Sequence, residues 1–150
     1  MINLLGMFSL TPFENAFIAA DRLVEEAQRS TPVVVVDFHA EATSEKVALA
    51  RYLDGRVTAV LGTHTHVQTN DARVLAGGTA ALTDAGMTGP HDSVIGSEDH
   101  GAIRRFTTGM PTRLEPATQD VRIEGALVEY DGGGRATSCK LVRVPVDIEL

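Results

Sequence analysis

Apolar residues at Phe13, Ala16, Phe17, Ala20, Leu23, Val24 and Ala27 recur every three or four positions, with Glu14, Asp21, Arg22, Glu25, Glu26 and Arg29 between them. That spacing predicts one apolar stripe along an α-helix. Pro32 stops it, because proline has no N–H to give and its ring collides with the preceding turn. The pattern then changes. Val33-Val34-Val35-Val36 is a continuous β-branched run. A strand covered on both faces has no reason to alternate, so the run predicts a central parallel strand leading into Asp37-Phe38-His39. Helical spacing returns from Thr43 to Leu53, with Thr43 or Ser44 as the expected cap, Glu45 in the first turn and Gly55 past the end. Val57 to Leu61 predicts the next strand, and Gly62-Thr63-His64-Thr65-His66 follows at once. Thr79 to Thr83 predicts a third, ending at Asp84. Ahead of the first helix, Ile2 to Phe8 reads as a short buried strand.

Beyond Asp84 the chain is glycine-rich up to Gly96, and Glu98 to Thr107 predicts a short helix. Val121 to Tyr130 and Ala136 to Val144 flank Asp131-Gly132-Gly133-Gly134-Arg135, a strong hairpin turn. The order β-α-β-α-β-β followed by a hairpin implies an α/β layered fold with an antiparallel edge, in one domain over residues 1–150.

Charge narrows the partners. Lys and Arg number 13 against 20 Asp and Glu, a formal charge of −7. Such a chain does not attract a nucleic-acid duplex, which needs clustered cations. A small phosphate ester can still bind where a metal supplies the positive charge. The single cysteine, Cys139, allows no internal disulfide framework and reads as a small buried hydrophobe; a cytoplasmic location fits. The start has no basic region typical of a secretion signal, and no apolar run approaches the roughly 20 residues that span a bilayer, so no membrane partner is expected. Dinucleotide-binding, P-loop and nucleophile-elbow motifs are missing from the sequence, which argues against nicotinamide enzymes, P-loop NTPases and serine hydrolases.

The chemistry gathers at strand ends. Open α/β sheets bind ligands beyond the carboxyl ends of their strands. Two successive predicted strands deliver His39 and then His64 and His66 to one rim, an arrangement suited to metal binding. Thr63 and Thr65 can hydrogen-bond the loop or a phosphate oxygen. Asp37 reads as a partner fixing a histidine ring or as a turn residue, ahead of a direct ligand. Glu41 reads first as a surface or helix-entry residue, and second as a partner holding a metal-bound histidine. His91 and the nearby glycines could line the pocket or form an ordinary connector, and His100 reads as solvated.

Val36-Asp37-Phe38-His39-Ala40-Glu41-Ala42-Thr43-Ser44-Glu45-Lys46, Tyr52-Leu53-Asp54-Gly55-Arg56-Val57, Gly62-Thr63-His64-Thr65-His66-Val67-Gln68-Thr69 and Thr83-Asp84-Ala85-Gly86-Met87-Thr88-Gly89-Pro90 closely resemble the YmdB-like bacterial metallophosphoesterases, 2′,3′-cyclic-nucleotide 2′-phosphodiesterases. The resemblance covers nearly the whole chain. It implies part of a calcineurin-like α/β/β/α sandwich and two divalent metal ions, of Fe, Mn, Mg or Zn. His39 and His64 would hold one ion and His66 the other. Thr65, Gly89 and His91 would face the substrate, a small phosphodiester hydrolysed by a metal-bridging hydroxide.

The sequence departs from that family in two respects. The family's first strand with its ligand Asp, and its Glu-Asn and Asn-His pairs, have no counterpart here, so the general acid is expected outside these residues. His91 stands where the family has Tyr. The expectation is a C-terminal portion whose exposed sheet edge favours homo-oligomers. The competing reading is a catalytically dead metal- or phosphate-binding module that needs an N-terminal partner. An amidohydrolase barrel, which also uses His-x-His, needs far more chain.

Overall fold

The structure, a computed structural model, describes residues 1–146; the last four positions of the expected domain lie outside the described residues. The described residues form two compact units, 1–86 with 126–141, and 87–125 with 142–146.

The first unit is built on a five-stranded sheet. Its strands are β1 (Ile2–Leu5), β2 (Val35–His39), β3 (Ala59–Thr63), β4 (Arg73–Val74) and β5 (Ala80–Leu82), in the order β1-β2-β3-β5-β4. The first four in that order run parallel, and β4 pairs antiparallel with β5 at one edge. Helices α1 (Ala16–Gln28) and α2 (Thr43–Tyr52) make the crossovers. The valine run behaves as its lack of alternation requires. Val34, Val36 and Phe38 are buried with Ala20, Val24, Leu49 and Leu53 of the helical layer. Val35 faces the other way and packs with Ala59, Ala80, Leu61, Val128, Ala136 and Cys139. The mixed α/β architecture with parallel strands and an antiparallel edge is as the sequence implies. Cys139 is half-buried in the second of these clusters, and burial pushes its thiol pKa up.

Several boundaries move, each for a local reason. The first strand ends at Leu5, because Gly6 turns in against Ala40 and the Glu45 carboxylate: a Cβ there would lie 2.5 Å from the Ala40 Cβ and 2.7 Å from Glu45 Oε2. Glu45 is buried, not solvated, and its Oε1 accepts the Met7 N–H at 2.7 Å. Helix α1 starts three residues later than the apolar stripe, because Asn15 Oδ1 accepts the Phe17 N–H (2.9 Å) and caps it. Phe13 is left outside the helix and fully exposed. In α2 the cap position falls on Ala42, with no side-chain bond, and not on Thr43 or Ser44. Strands β2 and β3 begin two residues late. Thr58 Oγ1 accepts the Val34 N–H at 3.1 Å and donates to the Gly134 carbonyl at 2.7 Å, replacing a ladder bond.

The second unit holds β6 (Gly89–Pro90) and helix α3 (Asp99–Thr108). Strands β7 (Val121–Tyr130) and β8 (Ala136–Pro145) form the expected hairpin, and β6, β7 and β8 make a three-stranded sheet in that order. The two-residue strands β4 and β6 carry no hydrophobic alternation and leave no trace in the sequence pattern.

Among the described glycines, the tightest approach to backbone lies at the end of β3. A Cβ on Gly62 would stand 1.9 Å from the Thr83 carbonyl oxygen and 2.6 Å from its carbon. Backbone cannot give way as a flexible side chain can, so Gly62→Ala is expected to destabilise the chain by about 3 kcal/mol or more. Urea denaturation measures this, and a loss below about 0.5 kcal/mol would contradict the packing described.

Candidate functional site

Strand register builds the site. In the β2–β3 ladder His39 lies opposite Thr63, and Asp37 opposite Leu61. His39 is thus the last strand residue, not a loop residue beyond it. Side chains two apart on a strand share a face, so Asp37 and His39 lie together. Asp37 Oδ1 accepts the Thr63 hydroxyl at 3.0 Å, and its Oδ2 accepts Asn3 Nδ2 of β1 at 2.8 Å. Thr63 Oγ1 lies 3.1 Å from His39 Nδ1. A hydroxyl has one proton, and Thr63 has given its proton to Asp37. The histidine therefore donates from Nδ1, and in the neutral ring Nε2 carries the lone pair. Asp37 acts through Thr63 to fix the ring, in line with the first of its sequence readings.

That Nε2 faces His64 Nδ1 at 3.0 Å, with the rings 4.8 Å apart and nearly perpendicular at 85°. Two ring nitrogens this close repel unless something positive lies between them. The choices are a proton on one ring or a cation shared by both. His64 Nε2, on its other side, lies 2.6 Å from Glu41 Oε2. Glu41 is exposed, as the first of its sequence readings has it, and its carboxylate also orients a site ring, as the lesser reading has it.

The loop after β3 is held in an unusual shape. His64 and His66 have φ of 124° and 64°, a region that L residues with bulky side chains rarely occupy. Each such residue costs on the order of 1–3 kcal/mol and persists only where its surroundings over-determine it. The Thr65 N–H, between them, donates to Asp84 Oδ2 at 2.9 Å. The same oxygen accepts Lys46 Nζ at 3.1 Å, and Asp84 Oδ1 accepts the Gly86 N–H at 3.0 Å. Lys46 and Asp84 are both buried. Neither drew attention in the sequence beyond its place in a motif. An acid at the carboxyl end of the third parallel strand, before glycine, was the available signal for Asp84.

The other expected site residues are placed as follows. His66 and Thr65 are exposed, and the Thr65 hydroxyl closes a local turn with Val67. Gly89 and His91 belong to the second unit. Gly89 pairs with Arg122 in the β6–β7 ladder. His91 is half-buried, with Nε2 3.2 Å from the Met87 carbonyl and 3.9 Å from Glu124. His100 is exposed. Among the described residues no three His, Cys, Asp or Glu side chains converge as a ready-made metal cage. His39 and His64 do fit a share of one. Their facing nitrogens are 3.0 Å apart, close enough for one cation about 2.1 Å from each, and the Asp37–Thr63 pair already fixes the ring behind.

A second carboxylate ties the loop to β5. Asp71 Oδ1 accepts the Thr69 hydroxyl (2.7 Å), the Thr83 N–H (3.1 Å) and the Thr83 hydroxyl (3.0 Å). Partial burial pushes its carboxyl pKa up, but these three bonds and the Arg73 charge together outweigh that, and the net shift is downward from 3.8. A lowered folded-state value stabilises the fold above the unfolded value and loses that stabilisation as pH falls through the folded one. Asp71→Asn is therefore expected to reduce stability at neutral pH, and the gap to the parent chain should close below 3.8. Urea midpoints across that range check it; a gap that stays constant would show that the Asp71 charge is not involved.

Known proteins corroborate the resemblance. The model of the YmdB-like protein family matches residues 1–142. The 2′,3′-cyclic-nucleotide 2′-phosphodiesterase of Bacillus subtilis (strain 168) is 49% identical over 131 residues, 87% of this chain and 50% of that protein. A hypothetical protein from Thermus thermophilus superposes with a TM-score of 0.88 at 43% identity, over 95% of this chain and 56% of that one. A phosphatase from Mycoplasma pneumoniae gives 0.85 at 37% identity, over 95% and 52%. The chain spans about half the length of the curated relatives it matches. With the family model matched over nearly all of its length, the chain belongs to the YmdB-like family.

Proposed function

We propose that this chain is part of a metal-dependent phosphodiesterase that hydrolyses small phosphodiesters such as 2′,3′-cyclic nucleotides. The observation that carries the reading is the 3.0 Å approach of His39 Nε2 to His64 Nδ1 at the carboxyl ends of adjacent parallel strands. The name of the Bacillus subtilis relative supports the substrate class. In this reading the fold is part of a calcineurin-like sandwich. His39 and His64 hold one divalent cation, and His66 offers its ring to a second. Two such cations, from Fe, Mn, Mg or Zn, would supply Lewis acidity for activating water and offsetting charge on the phosphoryl oxygens.

The chain's own residues do the positioning. Asp37 and Thr63 hold the His39 ring with its lone pair outward, and Glu41 steadies His64 from behind. Thr65, exposed in the loop, is the candidate for contact with a phosphate oxygen. In a chain of charge −7, cations are the means of drawing in an anionic ester. A cytoplasmic enzyme suits such a substrate; among the described residues no helix is long and apolar enough to cross a membrane.

One observation favours a second reading. With no third donor converging on the histidine pair among the described residues, the chain could be a binding module that works only with donors from elsewhere. Elemental analysis and turnover of a 2′,3′-cyclic nucleotide separate the two. The enzyme reading expects bound metal and hydrolysis once the donors absent from these residues are supplied, with both lost in His64→Ala. Thr63→Val should keep the fold and weaken metal affinity roughly 10–100-fold, as loss of an outer hydrogen-bond partner does. Metal without turnover would favour the module. No metal with those donors supplied would remove both readings.

A further inference from the structure

We infer that Asp84, clamped by Lys46, is the positioning residue that holds the His64–Thr65–His66 loop in its metal-accepting shape. The inference rests on the histidines being the site proposed above. Three segments meet at this carboxylate: α2 sends in Lys46, the loop after β3 sends in the Thr65 N–H, and the chain just beyond β5 supplies Asp84 itself. The Thr65 N–H belongs to one of the two peptide groups between the positive-φ histidines, so its bond helps set the orientation of the segment that joins them. The backbone of Asp84 is fixed in turn. Its N–H donates to Thr69 Oγ1 at 2.9 Å, and its carbonyl accepts the Thr69 N–H at 3.1 Å. The Ala85 N–H donates to the Gly62 carbonyl at 2.8 Å, closing the same loop from its start.

Stability alone does not explain such a pair. Buried ion pairs are often matched or bettered by apolar residues of similar volume, because the charges lose their water. What apolar residues cannot provide is an acceptor for the Thr65 N–H. Removing Asp84 alone would strand the Lys46 charge, so the paired replacement Lys46→Met with Asp84→Leu is the cleaner cut. Asp84→Asn is the isosteric companion: it keeps one acceptor oxygen where the carboxylate uses two.

The test uses the full chain and two readouts, cross-ring NOEs between His39 and His64 and Zn2+ affinity by titration calorimetry. Asp54→Asn is the control. Asp54 is also bonded to backbone N–H groups, those of Gly77 and Thr79, but at the opposite rim of the sheet. The expected result is that Asp84→Asn weakens the NOEs and lowers Zn2+ affinity about tenfold or more. Lys46→Met with Asp84→Leu should abolish the NOEs while near-native thermal unfolding persists. Asp54→Asn should lower the unfolding midpoint and leave the rings in place. Native NOEs and affinity in Asp84→Asn would overturn the inference, whether or not the double variant folds. If the parent chain binds no Zn2+ yet the NOEs respond to Asp84, the metal reading fails and the positioning role stands.

Discussion

The parallel pairing of β2 with β3, in the register that sets His39 beside Thr63, is the constraint on which the site depends. A slip of one residue would turn His39, Asp37 and Val35 to the helical face and bring Val36 and Phe38 out of the core. Burial of Phe38 and Val36 against the helices enforces the register, at a cost of about 3–5 kcal/mol for losing a buried phenylalanine side chain. The energy that keeps the histidine correctly aimed is thus mostly hydrophobic and lies one residue away. The polar chain from Asn3 through Asp37 and Thr63 adds direction, not much stability.

The elements that bury apolar surface were legible in the sequence. The valine run, the α1 stripe and the hairpin around Asp131 each carry a period or a turn signal that survives without tertiary context. Their ends were less legible, because ends are decided by single polar bonds. Asn15 takes the start of α1 from Phe13, and Thr58 shortens both central strands. The three histidines stood out because few roles explain two strand ends with the same residue type. The supporting polar residues did not. Lys46, Glu45 and Asp84 look like ordinary helix-surface and strand-end residues until the fold buries them. The supporting role of Glu41 was legible only as the lesser of two readings: it is exposed, and only the position of His64 gives it a partner.

The same loop shows how strain and support are divided. Positive φ at His64 and His66 is unfavourable locally, and Gly62 lets the strand end approach Thr83 closely enough for Asp84 to reach the strained peptide. Asp71 performs a parallel task one turn further on, gathering Thr69 and Thr83. Both acids draw the loop onto β5, so β5 serves as its anchor although it is only three residues long.

Burial of Lys46 also affects how the molecule responds to reagents. The chain has two lysines, Lys46 and Lys140, and otherwise carries its positive charge on arginine. With the Lys46 side chain 4% exposed and that of Lys140 68% exposed, an amine-acylating reagent meets Lys140 on the folded surface and not Lys46. Acylation of Lys46 must wait for α2 and the histidine loop to separate. Its rate is therefore a clock for local opening at the site, readable by mass spectrometry on the native chain without introducing a probe.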